Sequence, residues 1–370
     1  MEAVGVTFKS MFGGAYLKKR VLVTGHTGFK GAWLTLWLTL MGAEVMGYAL
    51  DPPYENGMFD LCNVAGGIMD VRDDIRDEDA LSEAFWFFQP EIVFHLAAQP
   101  IVRLSYDAPM DTMETNIMGT VNVLENIRLF DSVRTAVIVT SDKCYENREQ
   151  LQGYRETDAM GGYDPYSASK GCAELAASAY ERSFFEKQGK GVATARAGNV
   201  IGGGDWAQDR IVPDCVRALR AGKPIHVRNP HAVRPWQFVL EPLYGYLLLG
   251  QKLMNDPKAY AGAWNFGPDA ADVATVGKLV ETLVGIWGNG AWEDLSVPGA
   301  VHEAAQLRLD CTKAKELLHW RPQLSLQEAL NETVSWYRAD SAGLRPLCIG
   351  QIKRYYARAA GVAIENEEQK

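Results

Sequence analysis

The stretch TGHTGFKG, residues Thr24–Gly31, decides the fold. Its glycines, Gly25, Gly28 and Gly31, stand three residues apart. Before it lies a short apolar run, Arg20–Thr24. After it, Trp33, Leu36, Trp37, Leu40 and Met41 recur at the spacing of one buried helix face. The order is strand, tight turn, amphipathic helix. Glycine permits the turn and lets the backbone approach a phosphate, while the helix N-terminus adds unpaired N–H groups and a positive dipole end. Three glycines alone mark only a turn. In this frame they predict a pyrophosphate cradle for a dinucleotide, with Thr27, Phe29 and Lys30 as its other members. His26, inside the loop, carries no assigned role.

Asp51 lies twenty residues past Gly31, just beyond a second strand at Glu44–Leu50. An acid there accepts hydrogen bonds from the adenosine ribose hydroxyls. The same residue also suits the opening of the Asp51-Pro52-Pro53 turn, so two readings stand. Residues 32–71 contain no Lys or Arg. A 2′-phosphate would find no local cation there, which favours NAD over NADP.

Further out, Glu91–Ala98, Thr135–Thr140 and Gly191–Ala197 read as strands, with a weaker one near Gly67–Val71. Helical patterns alternate with them. The expected fold is α/β: a Rossmann-type doubly wound parallel sheet, with a smaller, loop-rich α/β C-terminal lobe for the substrate. Gly and Pro become frequent after about residue 200. The expected division is a dinucleotide-binding domain over 18–200, with 233–262 returning to it. A substrate lobe takes 201–232 and 263–350, and 351–370 is a solvated tail ending in ENEEQK.

Composition narrows the function. The chain has 370 residues, 47% hydrophobic and 22% charged, enough for a sizeable core. A net charge of -9 argues against nucleic acid as the main partner. Six Cys without a CxxC pair make neither a disulfide framework nor a zinc site, and the six His add no ligand spacing, so no metal is expected. The N-terminal twenty residues lack a signal-peptide pattern, and the longest apolar run, Ala32–Met41, is too short for a bilayer. No membrane and a cytoplasmic location are expected.

Two strings carry chemistry. Tyr166-Ser-Ala-Ser-Lys170 puts Tyr and Lys four apart, on one helix face. Free Tyr, with a pKa of about 10, is a poor base at neutral pH. A nearby ammonium favours the phenolate, which can take a hydroxyl proton while a hydride leaves the same carbon. The second string, Thr140–Tyr145 (TSDKCY), ends the fourth confident strand, where ligands gather in open α/β sheets.

The chain here resembles the extended short-chain dehydrogenase/reductase superfamily, the NAD-dependent epimerases and dehydratases. The resemblance runs from about Lys18 to about Tyr337. It rests on the glycine pattern, Asp74-Ile75-Arg76-Asp77, HLAAQ at 95–99, Asn116-Ile-Met-Gly-Thr120, the strand-end Ser and the Tyr/Lys pair, in that order. TSDKCY and GNVIGGGDW point within it to the nucleotide-sugar 4,6-dehydratases of the CDP branch. Phe238 stands where that branch has His, and Asp73 where it has Gly.

The resemblance implies a substrate, CDP-glucose, and a cycle that oxidises C4, eliminates water across C5–C6 and returns hydride to C6. The product, CDP-4-keto-6-deoxyglucose, commonly feeds the 3,6-dideoxyhexoses of lipopolysaccharide O-antigen. It implies tightly bound NAD, regenerated each turnover. Tyr166 would deprotonate the 4-hydroxyl, Lys170 would hold the nicotinamide ribose and Ser141 would bond the 4-oxygen. Asp142 would protonate the departing 6-hydroxyl. Lys143 would be the C5 base or its organiser. Asp74 and Ile75 would contact adenine, with Ala97 and Ala98 rimming the cofactor. Gln99, Ser105 and Asn116 would lie around the sugar or support the site, Gln99 and Ser105 being counted with the substrate-binding residues, and Asn199, Arg210, Arg228 and Arg234 would bind the nucleotide diphosphate. His302-Glu303 matches a family segment whose role stays open. Family members pair as homodimers through helices beside the site, and the helix from Tyr166 to about Lys187 has apolar positions for this that core packing explains equally. A 4-epimerase of the same fold would share the Tyr/Lys pair but has no use for Asp142-Lys143. An inactive NAD(H)-sensing protein would not need Tyr166, Lys170 and Ser141 in register.

Overall fold

The computed structural model describes residues 6–269, 272–296 and 307–363. His302-Glu303 lies outside the described residues. Seven parallel strands form the main sheet: β1 Arg20–Thr24, β2 Glu44–Ala49, β3 Met69–Arg72, β4 Ile92–His95, β5 Thr135–Val139, β6 Gly191–Ala197 and β7 Gly262–Phe266. Their order is β7-β6-β5-β4-β1-β2-β3. β1 lies between β2 and β4, so the connections wind outward in both directions from it. That reversal opens a crevice at the carboxyl ends of β1 and β4.

Alternation along the strands builds two apolar layers. Val21, Val23, Ile92, Phe94 and Val137 face one, while Leu22, Val93, Ala136 and Ile138 face the other. Helix α1 (Phe29–Leu40) covers the first layer. Helices α2 (Glu78–Phe88), α3 (Gly119–Leu129) and α4 (Pro165–Tyr180) cover the second, and α5 (Leu240–Asn255) returns to the first. The sheet is therefore buried on both faces, as its near-continuous apolar strands require.

Above the sheet, helices at Ile211–Arg220, Val276–Trp287 and Leu326–Arg338 surround three short strand pairs. Their apolar faces join the α1 layer in one continuous core. Phe238, fully buried, sits edge-on to Trp33, their rings 6.5 Å apart.

Three expected boundaries need correction. Residues 263–266, read as the start of the lobe, belong to β7, because an apolar strand pairs best on the open edge of β6. Residues 351–360, read as tail, complete α6 (Ser341–Ala360), which buries Ile352, Tyr355 and Tyr356. The N-terminal segment Phe8–Gly14 also packs: the Phe12 N–H donates to the Tyr356 hydroxyl (2.9 Å), and its ring lies 5.3 Å from Tyr244. The aromatics that close this end of the core are spread over three distant segments, so local pattern does not reveal them.

Candidate active site

The glycine loop is crowded in a way that only glycine tolerates. Gly25 has φ +73°, and a Cβ there would lie 2.6 Å from the Ala97 nitrogen. A Cβ on Gly31 would lie 2.0 Å from the Gly25 oxygen. Gly28 caps α1 without a side-chain bond, and the first turn has no acid, so its N–H groups stay open to an anion. Thr27 donates to the Leu50 carbonyl (3.0 Å), fastening the loop to the end of β2. His26 is fully buried, its Nε2 2.7 Å from Asp70 Oδ1. Burial holds its pKa below the usual histidine value. It is a neutral strut beneath the loop, and Gly47 leaves room for its ring. These features fit a dinucleotide pyrophosphate.

The adenosine end departs from expectation in two ways. Asp51 holds its carboxylate out, 91% exposed, but Arg72 stands 3.7 Å from it. The cation absent from residues 32–71 is supplied one position later by the neighbouring strand. The Ile75 side chain packs into the core against Gly119, so it cannot be a side-chain contact to adenine. Asp74 is gripped by Arg76 through Nε and a terminal nitrogen at 2.9 and 2.6 Å.

A cavity of about 1000 Å³ opens over the carboxyl ends of β4, β5 and β6. It is lined by Lys30, Ala98, Ser141, Asp142, Lys143, Tyr166, Lys170, Asn199, Arg210, Arg228 and Arg234, so the structure brings these predicted residues together. Helix α4 is pinned at its start. Asp164 accepts from the Ser167 N–H (2.9 Å) and hydroxyl (2.7 Å), and Pro165 takes the first helical position. Tyr166 and Lys170, one turn apart, therefore face the end of β5.

Burial governs the site's protonation. Tyr166 is pushed up to about 12 by burial, against the nearby Ser141 hydroxyl and the charge of Arg210. The expected depression of this phenol is not met in the protein alone, because desolvation and the charge of Asp142 outweigh that of Arg210. Lys170 is pushed down to about 8 by burial, opposed by the charge of Glu174. Asp142 is raised above the ordinary aspartate value by burial, against the charge of Lys143 and a hydrogen bond from Ser141 (3.0 Å). Its Oδ2 has no partner among the described residues and lies where a Cβ at Gly198 would sit 3.1 Å away. Lys30, expected at the cofactor, lies 5.9 Å from the ring centre of Tyr246. Burial, then Lys170 and Arg210, bring it down to about 7.

Of the two readings for Gln99 and Ser105, binding the sugar or supporting the site, the hydrogen bonds favour support and not the substrate-binding role. The Gln99 amide is spent within its own loop, on the Ile101 carbonyl and N–H (3.1 and 2.5 Å) and on Thr112 (2.8 Å). Ser105, fully buried, donates to the Val102 carbonyl (2.6 Å) and accepts from the Tyr166 N–H (3.2 Å), so it holds α4. Asn116 bonds the Gln99 backbone and Ser169 in support. Of the arginines, Arg210 pairs with Asp205 (2.9 Å) and Arg228 with Asp209 (2.6 Å).

Sequence reading missed Glu174 and Arg196, which pair at 2.7 Å, each 3% exposed. Glu174 also accepts from Thr194 (2.8 Å) and Thr140. Its position, one turn past Lys170 on α4, was the available signal.

The model of the GDP-mannose 4,6 dehydratase family matches residues 22–284. The chain belongs to that family. Across 326 residues it is 50% identical to the CDP-glucose 4,6-dehydratase of Salmonella typhimurium, covering 87% of this chain and 91% of that one. It is 28% identical over 327 residues to the UDP-glucose 4-epimerase of Mycolicibacterium smegmatis, covering 87% and 99%. Among solved structures, the UDP-glucose 4-epimerase of Thermus thermophilus in complex with NAD is 26% identical with a TM-score of 0.75, covering 86% and 99%. The epimerases share this fold, so the fold alone does not separate the two activities.

Proposed function

We propose that the chain is an NAD-dependent hydro-lyase that converts CDP-glucose to CDP-4-keto-6-deoxyglucose. The carrying observation is Asp142, a buried carboxyl at the end of β5 that shares one cavity with Ser141, Lys143, Tyr166 and Lys170. A 4-epimerase needs no acid there, and the half-identical relative is the Salmonella dehydratase. The glycine loop and Asp51 would hold NAD, which when bound would supply the hydride acceptor for C4 and the donor for C6.

Each side chain then has one task. Tyr166 receives the 4-hydroxyl proton, with Ser141 hydrogen-bonded to the same oxygen. Lys170, one turn on, places its ammonium toward the ribose beside the phenol, and that charge helps an otherwise reluctant tyrosine lose its proton. The 4-ketone acidifies C5–H, and Lys143 takes or organises that proton. Asp142, holding its own proton longer than an ordinary carboxyl, gives it to the leaving 6-hydroxyl. Asn199, Arg210, Arg228 and Arg234 face the diphosphate, where planar guanidinium forks suit paired phosphate oxygens.

Exposed Met110, Met118 and Leu175 on the helical elements beside the site support a homodimer. Six unpaired thiols suit a reducing cytoplasm. Among the described residues, no helix is long and apolar enough to cross a membrane. Incubation with NAD and, separately, CDP-, UDP- and dTDP-glucose and GDP-mannose tests the reading by product mass. Loss of water from CDP-glucose alone is expected. An unchanged mass with altered sugar configuration would make the chain an epimerase.

A further inference from the structure

Arg72 stands where a cation would select the wrong cofactor, yet it is bound off. Its Nε and one terminal nitrogen bond the two carboxylate oxygens of Asp70, each at 2.8 Å, a closed two-point grip. The other terminal nitrogen lies 3.5 Å from the Leu50 carbonyl and 3.7 Å from Asp51 Oδ1. The guanidinium rests on the Phe59 ring, 4.8 Å from its centre, which fixes its plane. The same Asp70 Oδ1 that accepts from Arg72 Nε also meets His26 Nε2 (2.7 Å), beneath the phosphate loop. One carboxylate thus ties the loop's strut to the only basic group that reaches Asp51 among the described residues.

We propose that Asp70 sets the preference for NAD over NADP by pairing off the Arg72 guanidinium that stands beside Asp51, so that its fork does not serve a 2′-phosphate. The inference rests on the dinucleotide reading of the glycine loop. Asp51, exposed at the end of β2, is the receptor for the ribose hydroxyls. A 2′-phosphate would meet Asp51 and Asp70, each −1, and Arg72, +1: a local charge of −1. A free arginine fork beside it would instead bind phosphate at two points. The discrimination lies less in the absence of a cation than in its neutralisation by a residue that never touches the cofactor. Asp70 is a positioning residue.

The charge count orders a set of variants. Asp70→Asn keeps the shape and the contact to His26 and raises the local charge to 0. Asp51→Asn also gives 0, at an exposed site where folding is not at risk. The double variant gives +1, and adding Arg72→Met to either single variant gives −1 again. Calorimetric titration of dinucleotide-free protein with NAD and with NADP reads the outcome without turnover. Asp70→Asn should bind NADP about tenfold tighter than the parent, the size of one charge-assisted bond, with NAD affinity held. The double variant should go further, and Arg72→Met should erase each gain. An unchanged NADP affinity in Asp70→Asn that still binds NAD would overturn the proposal. If that variant does not fold, an NADP gain in Asp51→Asn that survives Arg72→Met would do the same. A parent chain that binds neither dinucleotide would instead overturn the NAD reading itself.

Discussion

Tyr166 and Asp142 occupy one cavity, and burial raises both above their ordinary values. For an acid that works from its protonated form this is useful; for a base it is an obstacle. The two residues should therefore fail differently. Tyr166→Phe should lower turnover by about 10²–10⁴-fold, the usual worth of a positioned acid–base group, with CDP-glucose affinity nearly unchanged by calorimetry. Asp142→Asn should stop loss of water yet leave C5 exchange running, so that in heavy water deuterium enters C5 of unreacted sugar. Lys143→Met should block that exchange if Lys143 handles the C5 proton. With Asp142 as acid, dehydration should fall as pH rises through its elevated pKa, and a rate that holds at alkaline pH would count against the role. At this scale the meeting of Ser141, Asp142, Lys143, Tyr166 and Lys170 in one cavity was legible, because family strings and strand-end position mark them. Which of their two readings Gln99 and Ser105 would take was not legible, because their hydrogen bonds go to Thr112 and to the Tyr166 N–H, which the fold brings near.

The elements carry the site through α4, which bears Tyr166, Lys170 and Glu174 on successive turns. Glu174 reaches past the sheet's end to Arg196 on β6, with Thr140 and Thr194 completing its oxygens. The pair is dry, so removing one member strands a charge in a low-dielectric interior. Glu174→Gln should cost about 3–5 kcal/mol of unfolding free energy in urea titration, on the pattern of broken buried pairs. A Glu174→Leu, Arg196→Met double variant should recover much of that loss. A cost below about 1 kcal/mol for the single change would place the pair with surface bridges. Most strands of the sheet could be read from apolar runs bounded by turns, their ends shifting by a few residues. The edge strand β7 escaped, because Gly262–Phe266 is short, lies in Gly- and Pro-rich sequence and becomes a strand by pairing with β6.

The whole molecule is closed by its two ends, which sequence reading left out of the fold. Helix α6 lies against α5, where Glu241 is buried and accepts from the Gln323 N–H (2.9 Å), the Leu324 N–H (2.8 Å) and the Tyr355 hydroxyl. One carboxyl thus joins α5, the loop before the Leu326–Arg338 helix, and α6. Burial nonetheless dominates, raising Glu241 from 4.5 to about 7. The unfolded chain releases this proton near 4.5, whereas the folded chain keeps it until about 7. Folding is therefore undisturbed by this group below pH 4.5 and loses stability as pH climbs to about 7, after which the loss is constant. The loss amounts to about 3 kcal/mol at full extent. Other groups titrate over the same range, so the informative quantity is a difference. Glu241→Gln carries a fixed cost, since its amide N–H₂ must face backbone donors, but that cost does not vary with pH. Guanidinium unfolding of parent and variant from pH 4.5 to 8 should show the parent losing ground to Glu241→Gln by about 3 kcal/mol across the range. Parallel curves would mean that the three donors hold Glu241 ionised throughout. The clasp on α6 would then be a charged one, and Tyr355→Phe, which removes one donor from it, should cost about 1.5–3 kcal/mol above pH 5.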